Sequence, residues 1–320
     1  MTSTPNNHGL IPLRPLSVGD LFTATFAIYK QNFGQFVLLG LLPTVAGVAV
    51  GLTVAVVALV IGIPWVLSMT GLESGAAQFG VGVAGLAVIG LLLVAGWVLS
   101  VVAWHVSAGM TSLGVVQVNR GQLPTVRSLW HDTRGLPGRS LGLFGLVAAA
   151  GLVVLGLVGL FIVLAIGLEA WWLMLVPVVA IIVLSVLAQA RLGLLLQVLG
   201  IEGRGAIDTV RSCWRLTEGS GARIFGTLFL AQFLVNAALQ VVSSAAVAVT
   251  GSLDPLLAGA DSYQDLVRAL GVVAPRLVLG NVLTVLASIV ATPFMWIFGS
   301  VLYVDQLRRK QAMAGQPLFP

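Results

Sequence analysis

Six long runs of uncharged, apolar residues constrain the fold of this chain more than any other feature. About 20 apolar residues in a helix span the roughly 30 Å hydrocarbon core of a bilayer. Charged residues make up only 8% of the chain, against about 25% in a typical soluble protein. The sequence therefore predicts an all-α polytopic membrane protein with six transmembrane helices. The runs are Phe36–Ile63, Phe79–Val118, Leu141–Leu168, Ala170–Leu199, Ile224–Thr250 and Leu277–Val304.

The distribution of positive charge predicts the orientation of these spans. Of the 16 Lys and Arg residues, only Arg268 and Arg276 fall on one side of the predicted membrane, and the others fall on the opposite side. Lys and Arg are enriched in cytoplasmic loops of membrane proteins. We therefore expect a plasma (inner) membrane protein that crosses the bilayer an even number of times, with both termini in the cytoplasm.

A basic, tryptophan-bearing phrase occurs twice in this apolar chain. TVRSLW begins at Thr125 and TVRSCW begins at Thr209, 84 residues apart. Aligned without gaps, positions 125–142 share nine identities with their counterparts, where composition alone gives about one or two, so the match indicates an internal repeat.

Each phrase reads as a short amphipathic helix that precedes a pair of spans. In the second copy, Ile207, Val210, Trp214 and Thr217 follow helical spacing on one face, and Asp208, Arg211, Arg215 and Glu218 occupy the other. A third, weaker copy is LSVGDLFTATFAIYKQNFG near the start, where Ser17 and Asp20 predict a capping box. Its Val18, Phe22, Phe26, Tyr29 and Phe33 form an aromatic stripe.

Three tandem units follow from these copies. We predict units at residues 14–118, 119–199 and 200–310, between a disordered N-terminus at 1–13 and a C-terminal tail at 311–320. Each unit comprises a cytoplasmic amphipathic helix and a transmembrane hairpin. Because two crossings per unit leave all units in one orientation, the predicted symmetry is a pseudo-threefold axis along the membrane normal.

The basic helices are the first candidate site. Amphipathic helices with Arg on the polar face and Trp on the other lie in the headgroup layer, and anionic lipid attracts each such charge by about 1 kcal/mol. An alternative is that they are structural elbows between the ends of the spans. The candidate contacts with anionic headgroups are Arg127, Trp130, Arg139, Arg211, Trp214, Arg215 and Arg223.

A polar stripe along the fifth and sixth spans is the second candidate site. Gln232, Asn236 and Gln240 recur at helical spacing on the fifth span, and Asn281 and Ser288 belong to a similar series on the sixth. This polar face is suited to a headgroup or a small solute. Alternatively, its side chains form hydrogen bonds that hold the two helices together.

Catalytic and metal chemistry has little support in the sequence. His8, His105 and His131 are far apart, without the spacing of a metal-binding pair. The single cysteine, Cys213, excludes an internal disulfide. We therefore expect no enzymatic activity, no metal or cofactor and no nucleic-acid partner.

Three stretches resemble the glycerophosphoryl diester phosphodiesterase membrane-domain family, which is common in actinobacteria. They are PLRPLSVGDLFTATFAIYKQNFG near the start, IEGRGAIDTVRSCWRLTEG before the fifth span and LYVDQLRRK after the sixth. In that family the membrane region is joined to a soluble phosphodiesterase barrel or stands alone. The resemblance implies a stand-alone membrane region, because the sequence lacks the alternating strands and helices of a barrel.

The leading functional hypothesis is a non-catalytic membrane protein that acts as a lipid-engaging scaffold or a partner-binding module. The alternative is a transporter or lipid-translocating protein that uses the polar faces of the fifth and sixth spans. A third hypothesis is an anchor that recruits a separately encoded phosphodiesterase.

Overall fold

A computed structural model describes residues 10–12, 14–57, 76–250 and 263–313. Over these residues the chain is helical and contains no strand. Within the described ranges there are ten α-helices, and a short 3₁₀ helix at Trp171–Met174 leads into the sixth. The α-helices are α1 (Val18–Gln31), α2 (Phe33–Val57), α3 (Ala76–Asn119), α4 (Val126–Asp132), α5 (Leu136–Gly167), α6 (Leu175–Leu192), α7 (Leu195–Glu202), α8 (Ala206–Thr217), α9 (Gly221–Thr250) and α10 (Tyr263–Met313).

Six segments of the described part of the chain are long and apolar enough to cross a membrane. They are Phe33–Val54, Ala87–Asn119, Leu136–Gly167, Trp171–Glu202, Gly221–Ala248 and Val278–Ala312. The prediction of an all-helical, multi-pass membrane protein is thereby confirmed. Helix α3 has 44 residues and is about 66 Å long, so it extends well beyond the roughly 30 Å hydrocarbon core.

The buried core lies at one end of the helical bundle. Helix α5 shows this distribution: Leu136, Ser140 and Leu143 are buried near its start, whereas Leu152 is 69% exposed. The same end holds the start of α9 and the end of α10, with most of the arginines described below. We call it the basic end. The remaining lengths of α5 and α6 present apolar side chains outward, as lipid-facing helices do.

Glycines allow the helices to approach closely at this core. A Cβ added to Gly200 of α7 would lie 2.5 Å from the Cα of Gly109 on α3. A Cβ added to Gly40 of α2 would lie 2.5 Å from the Ile289 carbonyl oxygen on α10. Such contacts between backbones are the usual role of small residues in packed membrane helices.

Helix α1 packs along α10 through its aromatic stripe. The ring centroids of Phe22 and Phe298 are 4.9 Å apart, and those of Phe26 and Phe294 are also 4.9 Å apart. The predicted capping box is confirmed, because Ser17 Oγ accepts from the Asp20 N–H and the Asp20 carboxylate accepts from the Ser17 N–H. The Ser17 N–H and the Ser17 hydroxyl both donate to the Asp20 carboxylate, and these two bonds, aided by Arg14, lower the pKa of Asp20.

The structure describes parts of the two terminal segments that the sequence sets apart from the three units. Most of the predicted disordered stretch 1–13 lies outside the described residues, but Ile11 is buried and its N–H donates to Asn119 Oδ1 at 3.2 Å. Arg308 Nη1 donates to the Pro12 carbonyl oxygen at 2.6 Å. The predicted tail begins inside α10, which continues to Met313. Residues 314–320 of that tail lie outside the described residues.

Candidate functional site

Helix α8 forms the centre of the candidate site. Gly205 is its N-cap, Asp208 lies in the first turn and Arg215 lies in the last turn, which places charges of the stabilising sign at each end of the helix dipole. Gly219, two residues past the end, has φ +77°, a conformation that glycine adopts readily after a helix. The phrase TVRSCW therefore lies on an amphipathic helix, as predicted.

One face of α8 is anchored to the end of α6. Cys213 Sγ donates to the Arg191 carbonyl oxygen at 3.3 Å, and Thr217 Oγ1 donates to the same oxygen at 3.0 Å. The last carbonyls of a helix have no partner within it, so these two side chains satisfy a group that α6 leaves open. Burial raises the pKa of Cys213 to about 12, which keeps the thiol protonated and able to donate.

The structure distinguishes the buried and exposed faces of α8. The side chains that it buries are Thr209, Cys213, Leu216 and Thr217. Ile207 and Trp214, which the sequence places on the apolar face, are 64% and 51% exposed. These two large apolar side chains therefore lie on the surface of the bundle.

An open crevice runs between the outer face of α8 and helix α5. It has a volume of about 430 Å³ and is lined by Leu146, Ile207, Val210, Arg211, Trp214 and Arg215. The five residues from α8 are spaced i, i+3, i+4, i+7 and i+8, which is one continuous helical face. We call this space the α8 crevice.

Arg191 lies behind the tryptophan of the α8 crevice. Its guanidinium carbon is 5.0 Å from the centroid of the Trp214 ring, within the range of a cation–π interaction. Its Nη1 atom is buried and has no hydrogen-bond partner among the described residues. Arg191 is the next-to-last residue of α6.

The first copy of the phrase forms a shorter helix, α4, at the same end of the bundle. Arg127 and Trp130 are exposed on it, whereas Leu129 is buried. The exposed Arg139 lies near the start of α5, and its Nη1 would be 3.0 Å from a Cβ added to Gly203, in the turn before α8. Arg127 and Trp130 are not among the residues that line the α8 crevice. The two copies of the phrase therefore do not form one pocket.

Arg223 is engaged within the protein. Its Nη1 is 2.8 Å from Asp305 Oδ2, and its Nη2 donates to the Leu16 carbonyl oxygen at 2.9 Å. Arg309 binds the same carboxylate and the same carbonyl, and the Leu16 N–H donates to Asp305 Oδ1. Asp305, whose side chain is 1% exposed, thus joins the segment before α1 to helices α9 and α10. This network makes Arg223 a structural residue at the basic end.

The polar stripe on α9 faces outward. Gln232, Asn236 and Gln240 are exposed, and Gln232 Nε2 donates to Asn236 Oδ1 at 2.9 Å within the same helix. On α10, Asn281 is exposed and half-buried Ser288 donates to the Thr284 carbonyl oxygen. The described parts of these helices therefore place the amides of α9 on the outside of the bundle rather than in its interior.

No three His, Cys, Asp or Glu side chains among the described residues are grouped so that they could hold a metal ion. Comparison with protein-family models, curated proteins and solved structures finds no match to this chain.

Proposed function

We propose that this protein is a non-catalytic membrane module whose basic end engages anionic lipid headgroups. The observation that carries this proposal is the outer face of α8, where exposed Arg211 and Arg215 alternate with exposed Ile207 and Trp214. A helix that presents arginine beside large apolar side chains is suited to the boundary between headgroups and acyl chains. The neighbouring apolar surface of α5 supplies the hydrocarbon side of that boundary.

The order of the helices supports three tandem units. A short helix precedes two long helical segments three times, beginning at α1, α4 and α8. The charge distribution supports a cytoplasmic position for the basic end. From the resemblance to the glycerophosphoryl diester phosphodiesterase membrane-domain family, this proposal takes a membrane region that engages lipid. It does not include a phosphodiesterase activity.

The proposal is tested by measuring which lipids copurify with the reconstituted protein. Wild-type protein and the triple variant Arg127→Glu, Arg211→Glu, Arg215→Glu are reconstituted with equal amounts of phosphatidylglycerol and phosphatidylcholine, and the lipids that copurify are quantified. Each arginine near an anionic surface contributes about 1 kcal/mol, so we expect the wild type to enrich phosphatidylglycerol and the variant to lose most of that enrichment.

A matched control distinguishes the effect of the positions of the arginines from the effect of the total charge of the protein. The triple variant Lys30→Glu, Arg120→Glu, Arg134→Glu changes the net charge equally at three other exposed positions. We expect it to retain more of the enrichment than the first variant. Equal lipid composition around wild type and the first variant would contradict the proposed function.

A further inference from the structure

The α8 crevice combines two features that a membrane lipid also combines. Its floor is almost entirely carbon, formed by Leu146, Ile207, Val210, the Trp214 ring and the aliphatic stems of Arg211 and Arg215. Both arginines are exposed. Among the described residues, the lining includes no carboxylate. Its volume of about 430 Å³ lies within the roughly 300–1,000 Å³ range of small-molecule sites.

We propose that the α8 crevice is a binding site for one anionic phospholipid, whose phosphate lies against Arg211 and Arg215 and whose acyl chain lies along α5. This inference rests on the proposed function and makes it specific. General attraction at the basic end concentrates anionic lipid, whereas this site holds a single molecule in a defined place.

The position of the apolar floor fits an acyl chain. Leu146 is ten residues from the first residue of α5, which places it about 15 Å along that helix. The crevice therefore extends from the arginines at the basic end toward the apolar, exposed length of α5. A free phosphate ion has no apolar part to fill this space, so the floor favours a phospholipid over inorganic phosphate.

The charges around the crevice fit a phosphate group. Arg211 and Arg215 are one helical turn apart on α8, and both are exposed. Asp208 pairs with Arg211 at 3.4 Å, but both partners of this pair are more than 60% exposed, so solvent screens it and the energy it contributes is small. Arg191 adds a third cation behind Trp214, where its ring contact holds the indole in place. Charge-assisted hydrogen bonds from arginine are the strong contacts for phosphate oxygens.

The first copy of the phrase lacks the features that build this site. Helix α4 has seven residues, against twelve in α8. At the position of Cys213 it carries Leu129, which packs near Phe36 and Gly114. We therefore place the phospholipid site at α8 and not at α4.

Native mass spectrometry of the full chain, released from zwitterionic nanodiscs, tests this assignment. Dioleoyl phosphatidylglycerol is titrated, with phosphatidylcholine, glycerol phosphate and inorganic phosphate as separate arms. We expect one saturable phosphatidylglycerol adduct. The single variants Leu146→Trp and Ile207→Trp fill the crevice without changing any charge, and each should weaken the binding of phosphatidylglycerol at least about tenfold. The double variant Arg211→Gln, Arg215→Gln should weaken this binding by a similar factor.

Two controls match these variants. Leu152→Trp adds the same ring to α5 at a position 69% exposed and outside the crevice lining. Arg134→Gln with Arg120→Gln removes two other exposed arginines. Both controls should bind phosphatidylglycerol as the wild type does. Ile207 is itself 64% exposed, so its replacement leaves the core intact if Leu146→Trp fails to fold.

The outcomes distinguish the two proposals. Enrichment of phosphatidylglycerol that neither crevice-filling variant reduces would overturn the single-lipid site and leave the general lipid engagement standing. Displacement of the lipid by glycerol phosphate or inorganic phosphate at equal concentration would also overturn it, because the acyl chain would then contribute nothing. Absence of any preference for phosphatidylglycerol in the wild type would contradict the proposed function itself.

Discussion

At the scale of single residues, Asp305 shows how a charged position in the sequence becomes a structural one. The sequence places it in DQLRRK after the last apolar run, a context typical of a solvated helix end. In the fold its carboxylate is buried between Arg223, Arg309 and the Leu16 N–H. Arg309 lies one helical turn from Asp305, but the other two contacts could not be predicted, because Arg223 and Leu16 are 82 and 289 residues away along the chain.

Replacement of Asp305 by Asn should destabilise the protein by about 3 kcal/mol, because it leaves two arginines without their carboxylate in a largely buried site. The unfolding of detergent-solubilised protein measures this change. Asp208→Asn removes an exposed ion pair with Arg211 and should cost less than about 1 kcal/mol. Equal effects of the two variants would contradict the structural role of Asp305.

Cys213 offers a pH-dependent prediction. Burial raises the pKa of its thiol from 9.0 to about 12. Above pH 9 the unfolded chain loses this proton while the folded chain keeps it, so the free energy of unfolding decreases as the pH rises from 9 toward 12. Cys213→Ala should show a shallower decrease over that interval, measured by chemical denaturation at successive pH values. Identical slopes would show that the thiol is not buried in the folded protein.

At the scale of helices, the periodicity of the sequence predicts which segments are helical better than it predicts which face of a helix is buried. Uncharged runs identify the six spans, and the repeated phrase identifies α4 and α8 as short helices. The sequence left open which face of α8 packs against the protein, because lipid contact and a structural elbow both fit the same apolar pattern. In the fold Thr209 and Cys213 are buried, whereas Ile207 and Trp214 are exposed. The buried face depends on contacts with helices that are distant along the chain, and sequence periodicity contains little information about those contacts.

The crossing of α3 and α7 gives a prediction at this scale. Gly200→Ala places a methyl group 2.5 Å from the Gly109 Cα, and such backbone overlap should destabilise the protein by about 1–3 kcal/mol. Gly156→Ala on α5 meets no atom within 4 Å and should be neutral or slightly stabilising, since alanine favours a helix more than glycine does. Thermal unfolding compares the two variants. A Gly200→Ala variant as stable as the wild type would contradict the close crossing.

At the scale of the whole molecule, the bundle is tightly packed at its basic end and presents apolar side chains elsewhere. Number and length of the spans were predictable because lipid imposes a simple requirement on helix composition. The contacts between the segment before α1 and the end of α10 were not predictable, because they join the two ends of the chain. The α8 crevice likewise depends on Leu146 of α5 meeting α8, which neither copy of the phrase predicts.

Sided labelling of single cysteines tests whether the basic helices share one face of the membrane. In a Cys213→Ala background, cysteines replace exposed Gln31, Arg134 and Glu218 at the ends of α1, α4 and α8, and Trp172 serves as the position at the far end. A membrane-impermeant maleimide should label Trp172→Cys in intact cells and the other three only in inverted vesicles. Labelling of the three basic-end positions from different sides would contradict a shared orientation.

Engagement of anionic lipid by the outer face of α8 is best tested by a structure of the protein in nanodiscs that contain phosphatidylglycerol. We expect headgroup density within hydrogen-bond distance of Arg211 or Arg215, with acyl density beside Leu146. Arginines at α8 that contact only water, with the headgroup layer elsewhere on the bundle, would contradict it.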